Sequence, residues 1–467
     1  MKHRLIAALV AALVVSGGGL GAGTAYAADA DFDGEISGGG AYLWSYEGAS
    51  TKLVLPATWK GKPVVSVEME IGAVTTAVDA TRATGLRTLN LYGGEAKLAK
   101  LDLSKNTKLT SIHLEDLPLT SLSLSANKAL KNLRLDRTKL TKLDLAKNTK
   151  LVSLYSNADP VSSVKLPKTK TLKSVGFYKT KKLKSLNVKS NTALTTLTLA
   201  GTGLTKINLT KNKALKVLDL GATKIKPASA KVSKLTKLTE LHLAGNTTFT
   251  KLDVKKLTKL KVLNLLDTKL SSVDLKKNTK LTKLALGGTF KKLDLTKNTA
   301  LTELTLGGDK PVTKLASLNL SKNSKLKHLS VYGSGLASLN LTNAKALDYL
   351  DLYKTSLTKL DLSGLSKLEW VSASGNKKLA SVTFAGNSAL QEVVVPDNAL
   401  KSLDVSTLKK LGFLDIAGNP GLAVRIDPVR NPRLSEVRYS PVKSSVEDYL
   451  ALYEGEGWPA QTVTNAK

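Results

Sequence analysis

A chain of 467 residues with 70 Lys and Arg against 37 Asp and Glu has a formal charge of +33, a field that draws in acidic partners and weakens with salt. Its 42% hydrophobic content excludes a disordered basic protein, and with 5% aromatics and two methionines the core has to be aliphatic. The absence of cysteine excludes disulfide-stapled caps, a cysteine zinc site, a cysteine nucleophile and a lipid-bearing N-terminal cysteine.

In chain order, Lys2 and Arg4 precede an apolar run from Leu5 to Val15 that is too short to span a bilayer. A glycine-rich bend and Ala25-Tyr26-Ala27 follow, a small-x-small pattern suited to signal peptidase. Residues 1–27 are expected to be a secretory signal peptide. No second apolar stretch of membrane length follows, and the final "TVTNAK" carries no visible sorting signal. The expectation is an extracellular chain, released or held at a surface non-covalently. Residues 28–77 are expected to form an N-terminal β cap. Within it "YLWSYEGASTKLVLPATWKGKPVVSV" (42–67) reads as a hairpin with Trp44, Tyr46 and Trp59 as large apolar covers.

From residue 78 to 440 one unit recurs about every 21–22 residues, for about 17 copies. Its turn is marked by Asn106, Asn127, Asn148, Asn191, Asn212, Asn278, Asn298, Asn323, Asn387 and Asn431. Weaker copies place Ala83, Thr169, Leu235, Leu257, Ala344, Leu365 and Leu408 at the same position. The unit is clearest in "LKNLRLDRTKLTKLDLAKNTK" (130–150), which holds two L-x-L segments. Alternation with period two points both leucines inward and the middle residue outward. Stacked coils pair these segments in parallel, about 4.8 Å apart, which gives a rod roughly 80 Å long. Such a rod needs capped ends, because an open end exposes leucines and unpaired strand edges.

The L-x-x-L-x-L-x-x-T-x-L-x-x-L-D-L-S-K-N-T-K unit resembles the bacterial leucine-rich repeat family, internalin-like in a general sense. The usual asparagine after the first strand is mostly Thr, Gly or Asp here, and asparagine instead follows the second L-x-L. The resemblance implies a solenoid of mainly parallel β structure. With extended segments on both sides, its curvature is expected to be shallow. It also implies a non-enzymatic scaffold for protein interaction or adhesion, with no cofactor. The turn asparagines are expected to adopt a left-handed backbone or to bond free backbone amides.

The chemistry-bearing residues sort into columns. His113 and His242 share one outward position, six coils apart, and cannot act on one atom. No metalloprotease, nucleophile-elbow, phosphate-loop or calcium-loop motif occurs, so neither a catalytic nor a metal site is assigned. The L-D-L aspartates, including Asp102, Asp144, Asp253, Asp274, Asp294, Asp361 and Asp404, are expected to accept amide bonds from the following turn. Most have a lysine two residues upstream, such as Lys142, which is expected to offset the charge. The turn lysines Lys105, Lys108, Lys147, Lys150, Lys211, Lys213, Lys276, Lys277, Lys280, Lys297, Lys322 and Lys325 form a ladder. That ladder suits an acidic polymer such as teichoic acid, a sulfated glycan or nucleic acid. It lacks the arginine forks and stacking aromatics of specific base readout.

The third position of L-x-x-L-x-L changes most along the stack, from Ser111, Asn132 and Ser153 to His328, Tyr349, Trp370, Glu392, Phe413 and Glu436. With Asp348, Asp351, Glu369 and Asp415 beside them, Tyr349, Trp370, Glu392 and Phe413 form the expected ligand face, since aromatics ringed by charge match a binding hot spot. The partner is an unidentified protein or surface ligand, and the chain is expected to be a monomer. Residues 441–467 are expected to be a C-terminal cap. Ser444 and Glu447 there start a short helix that Gly455, Gly457 and Pro459 stop.

Overall fold

The computed structural model describes residues 29–48, 50–308, 314–439 and 462–465. The expected signal peptide and the expected C-terminal helix lie outside them. The L-x-L segments become strands stacked one coil above another, in the register that the repeat spacing implies. Asn132 stands opposite Ser111 and Ser153, and Leu133 opposite Ile112 and Leu154. The front sheet has 22 strands. Phe32–Ser37 pairs antiparallel with Gly40–Tyr46 and Thr58–Trp59 with Lys62–Glu70, and the stack runs parallel from Ala41 opposite Val64 to Glu436 opposite Thr462. Thus the last described strand, Thr462–Asn465, extends the sheet.

The second L-x-L forms a back column of shorter strands. Lys52–Val54, Ala77–Asp79 and Lys100–Asp102 make one sheet, and Lys142–Asp144 with Ser163–Lys165 another. Further back pairs are Ser317–Asn319 with Ser338–Asn340, Lys359–Asp361 with Ser381–Thr383, and Ser402–Asp404 with Ala423–Arg425. Among the described residues the α-helix is confined to one turn, Pro227–Ala230, which stands where a back strand is due. Extended chain on both sides is therefore the rule, as the repeat pattern implies.

The N-terminal end differs in detail from the expected hairpin. The antiparallel pair is Phe32–Ser37 with Gly40–Tyr46, and parallel stacking already begins at Gly40–Tyr46, inside the segment expected as the cap. Trp59 is buried and its Nε1 donates to the Asp29 carbonyl at 2.9 Å, while Tyr46 packs on Phe32 with ring centroids 5.1 Å apart. Trp44 is no cover: it is 50% exposed, because Leu43 beside it faces inward and alternation turns its neighbour out.

Between the columns lies a core of stacked leucines. In the coil 130–150, Leu130, Leu133, Leu135, Leu140, Leu143 and Leu145 are all buried. The turn asparagines are buried too. None has positive φ, so the expected left-handed backbone does not occur; the expected bond from a backbone amide is made at Asn431, whose Oδ1 accepts the Asp427 amide at 2.9 Å, but the bonds common to the column are donations. Asn148 Nδ2 donates to the Leu124 and Asn127 carbonyls, both at 2.9 Å, and Asn127 Nδ2 donates to Leu103 and Asn106 at 3.0 and 2.9 Å. The carbonyls concerned close the turn of the preceding coil. Each already accepts one backbone amide, Leu124 from Asn127 and Asn127 from Leu130, both at 3.1 Å, so the side-chain amide adds a second donor to each and ties successive coils together, which is why one residue type recurs there.

At the opposite turn, threonine takes the place of the usual asparagine for a related reason. Thr202, Thr223 and Thr268 are buried, and each Oγ1 donates to the carbonyl three residues back at 2.8–2.9 Å. Where asparagine does occupy this turn it links two coils. Asn376 Nδ2 donates to the Leu352 carbonyl, and its Oδ1 accepts the backbone N–H and hydroxyl of Thr355. Asp159 receives the same pair of bonds from Thr138 and a third from the Ser156 hydroxyl, but it has no amide to donate.

Candidate functional site

The aspartate column behaves as the spacing implies. Asp144 Oδ1 accepts the Ala146 amide at 2.9 Å and Asp274 Oδ1 the Lys276 amide at 3.1 Å. These bonds, helped by neighbouring lysines, hold both carboxyls below the usual aspartate range. For Asp144 and Asp274 the balancing lysine, however, comes from another coil. Asp144 pairs with Lys165 at 3.3 Å and Asp274 with Lys255 at 3.4 Å. Side chains two apart on a strand share a face but point along it, whereas the same face of the next strand is one inter-strand step away.

All twelve ladder lysines are exposed, flanking the buried asparagines along the turn edge. Lys276 lies 3.9 Å from Asp294.

The front face has two populated regions. Near the N-terminal end, Tyr92 meets His113 edge-on at 5.3 Å. His113 Nε2 lies 3.2 Å from Asp136 and 3.3 Å from Glu115. Ligand atoms of these three residues lie within 4.8 Å of one another. Arg134 pairs with the same Asp136 carboxylate, and Arg137 bridges Glu115 and Asp116. The cluster is thus an ion-pair network whose carboxylates are already engaged. His242 stands in the same column as His113, in register with Asp219 and Asn264, and pairs with Glu240 at 3.7 Å.

The second region is the expected ligand face. Register puts His328, Tyr349, Trp370, Glu392, Phe413 and Glu436 in one column on adjacent strands. Tyr349 and Trp370 stack face to face, centroids 4.4 Å apart and planes 7° apart, and His328 meets Tyr349 edge-on at 5.9 Å. Asp348 Oδ1 lies 3.1 Å from His328 Nε2, and the Tyr332 hydroxyl donates to Asp351 at 2.9 Å. Burial pushes the Asp351 carboxyl up, partly offset by bonds from Tyr332 and Ser372. Glu369 and Glu392 are exposed beside the stack.

Phe413 and Asp415 stand apart. The strand of Glu392 separates Phe413 from Trp370, and the Arg438 guanidinium lies over the Phe413 ring at 4.8 Å while donating to Glu436 at 2.8 Å. Burial raises the Asp415 carboxyl as well, against the Ala417 amide that it accepts at 3.1 Å. The eight expected residues therefore form one compact group around Tyr349 and Trp370 and a second around Phe413. His328, Tyr332 and Ser372 join the first group and Arg438 the second. Column position marks His328 and Arg438; the bonds of Tyr332 and Ser372 depend on side-chain reach.

No family model matches the sequence, and no curated protein matches it. Solved structures do. The functional domain of InlJ from Listeria monocytogenes, which includes a cysteine ladder, is 24% identical with a TM-score of 0.54, over 84% of this chain and 69% of that one. A leucine-rich repeat protein of Leptospira interrogans is 15% identical with a TM-score of 0.53, over 82% of this chain and 91% of its own. YopM from Yersinia enterocolitica is 17% identical with a TM-score of 0.50, over 83% and 84% of the two chains. Fold is what these likenesses share. With its parallel register and its buried leucine and asparagine columns, the chain is a leucine-rich repeat solenoid, internalin-like in fold.

Proposed function

We propose that the chain is a secreted, non-enzymatic binding scaffold that takes a protein ligand on the front sheet around Tyr349 and Trp370. The observation that carries this reading is the face-to-face stack of two large rings on the outward side of a rigid sheet. Stacked rings are held by each other and by the strands beneath, so they lose little freedom when a ligand covers them. Asp348, Asp351, Glu369 and Glu392 surround them on a chain that is otherwise strongly basic. That setting favours a partner that offers cationic and apolar groups together, since a cation over an aromatic face gains about 0.5–2 kcal/mol. Adhesion at a surface is one use of such a face.

Capture of extracellular proteins on the immobilised chain, at low and at physiological salt, tests the reading. A ligand retained in salt by the wild type is expected to be lost by Tyr349→Ala combined with Trp370→Ala. Unchanged capture by that double variant sinks it. The other reading, an acidic polymer held by lysines, finds its support on the back of the solenoid.

A further inference from the structure

The positive charge is not spread evenly along the rod. Residues 160–239 contain 18 lysines and one acid, Asp219, a net of +17 out of the +33 of the whole chain. Asp219 lies in the front sheet, opposite Thr198 and His242. On the back column the aspartate series stops at Asp144, where Lys165, Asn187 and Asn208 continue it, and it resumes at Asp253. Half of the excess charge thus surrounds a stretch of back face with no carboxylate of its own.

The same stretch is concave. Beyond Ser163–Lys165 the back strands are interrupted through the segments around Leu186 and Ile207, and in the third coil the helical turn Pro227–Ala230 stands in the strand's place. A groove of about 480 Å³ opens there, across four successive coils. Its floor is aliphatic, with Leu186, Val188 and Ile207 buried. Its walls carry Ser163, Ser185, Asn187 and Asn208 together with Lys206 and Lys231, all exposed. Both asparagines are exposed and spend Oδ1 on the turn amides of Lys189 and Thr210, at 3.1 Å each, so the turns do not use their Nδ2 donors. Lys165 is engaged by Asp144 at 3.3 Å, whereas no carboxylate lines the groove.

A lining of ammonium, amide and hydroxyl groups over an aliphatic floor selects a ligand with anionic groups and many hydroxyls. We infer that this groove binds a segment of an anionic, hydroxyl-rich polymer, a glycan or polyol bearing phosphate, sulfate or carboxylate. The surrounding lysines attract the polymer over about a Debye length, and the groove fixes one segment of it. No aromatic ring lines the groove, so stacked nucleobases gain nothing there. This inference is independent of the front-face reading, because the two sites lie on opposite columns and share no residue.

Full-length chain is titrated with a short heparin oligosaccharide, a glycerol-phosphate oligomer, an oligouronate and a single-stranded oligonucleotide of equal charge. Lys206→Glu with Lys231→Glu is compared with Lys322→Glu with Lys325→Glu, which changes the net charge equally on the distant ladder. The groove variant is expected to weaken at least one hydroxyl-rich anion by about tenfold or more, and the ladder variant by no more than about threefold. Which of the first three probes responds identifies the anionic group. Equal losses in both variants overturn the groove, leaving diffuse charge. An oligonucleotide bound as tightly as the best glycan or polyol, with the same dependence on the groove, overturns the ligand class. A second variant, Ser163→Ala with Ser185→Ala, keeps every charge and removes two hydroxyls. It is expected to weaken the hydroxyl-rich ligand about two- to threefold and leave the oligonucleotide unaffected. Retained front-face capture by the groove variants separates failure here from failure there.

Discussion

The coil from Leu130 and the coil from Leu347 have the same interior and different exteriors. Leu130, Leu133, Leu135, Leu140, Leu143 and Leu145 of the first correspond to Leu347, Leu350, Leu352, Leu357, Leu360 and Leu362 of the second, all buried. Thr138 and Thr355 occupy the same turn and make the same two bonds to the coil above. Outside, Asn132 and Arg134 stand where the later coil carries Tyr349 and Asp351. The comparison teaches that a solenoid separates its two tasks by residue parity. Inward positions repeat because every coil has the same neighbours, and outward positions are free to change because stacking does not use them.

Two differences at the turns of these coils can be turned into measurements. At the back turn the first coil has Asn148 and the second Leu365, both buried. Asn148→Ala removes the inter-coil donor from two carbonyls that keep their backbone amides, and is expected to cost about 1–3 kcal/mol in urea unfolding, the largest effect of this set. A loss below about 1 kcal/mol would mean that the amide ladder contributes little beyond filling space.

At the front turn the acceptor above Thr138 is a carboxylate, Asp159, and above Thr355 an amide, Asn376. Burial raises the Asp159 carboxyl above its ordinary value, against the bonds from Ser156 and Thr138, with Asp136 nearby adding to the rise. The folded state therefore holds this proton more tightly than the unfolded state. Stability from Asp159 is present below its unfolded value, about pH 4, and is lost as pH rises through the folded one. Asp159→Asn is expected to flatten that dependence and to stabilise the chain at neutral pH by on the order of 1 kcal/mol. Urea midpoints across the acid range check it, and an unchanged pH slope would remove Asp159 as its source.

A double-mutant cycle over Tyr349→Ala and Trp370→Ala isolates the stack from the strands beneath it. The expected coupling is about 0.5–1.5 kcal/mol. Zero coupling would leave two rings side by side without mutual support, and with it the preorganisation that the proposed ligand face relies on. The smallest effect belongs to the aspartate column. Asp144→Ala and Asp361→Ala each remove one turn bond at an exposed site, with a contact to the next coil besides, Lys165 for Asp144 and the Thr383 hydroxyl for Asp361, and each is expected to cost about 0.5–1 kcal/mol in the same assay. A markedly larger loss at Asp144 would give its ion pair with Lys165 more weight than an exposed pair normally has.

Much of the fold was legible before any coordinates. The spacing of Asn106, Asn127 and Asn148 sets the coil length, and the alternation in "LRL" and "LDL" sets which side each residue takes. From these two regularities the whole column from Ser111 to Glu436 follows in correct register. The amide-accepting role of Asp144 and its relatives was legible for the same reason, since it is local to three residues. Less was legible where one coil reaches another. The donors of Asn148 find carbonyls 21 and 24 residues back, and Asp144 finds its lysine 21 residues ahead, neither of which a local pattern displays. Trp44 turns outward because strand parity, not ring size, decides which side a residue takes.

The sequence by itself determined the coil, the inward leucines, the outward columns and the excess of positive charge, because each depends on periodicity or composition. Only the tertiary structure decided that Tyr349 and Trp370 stack while Phe413 turns to Arg438, and that the lysine-rich coils enclose a groove. The physical reason is distance through space. A stack, an ion pair between coils and a cavity all arise from atoms brought together by neighbouring turns of the rod, and the repeat fixes only where those turns begin.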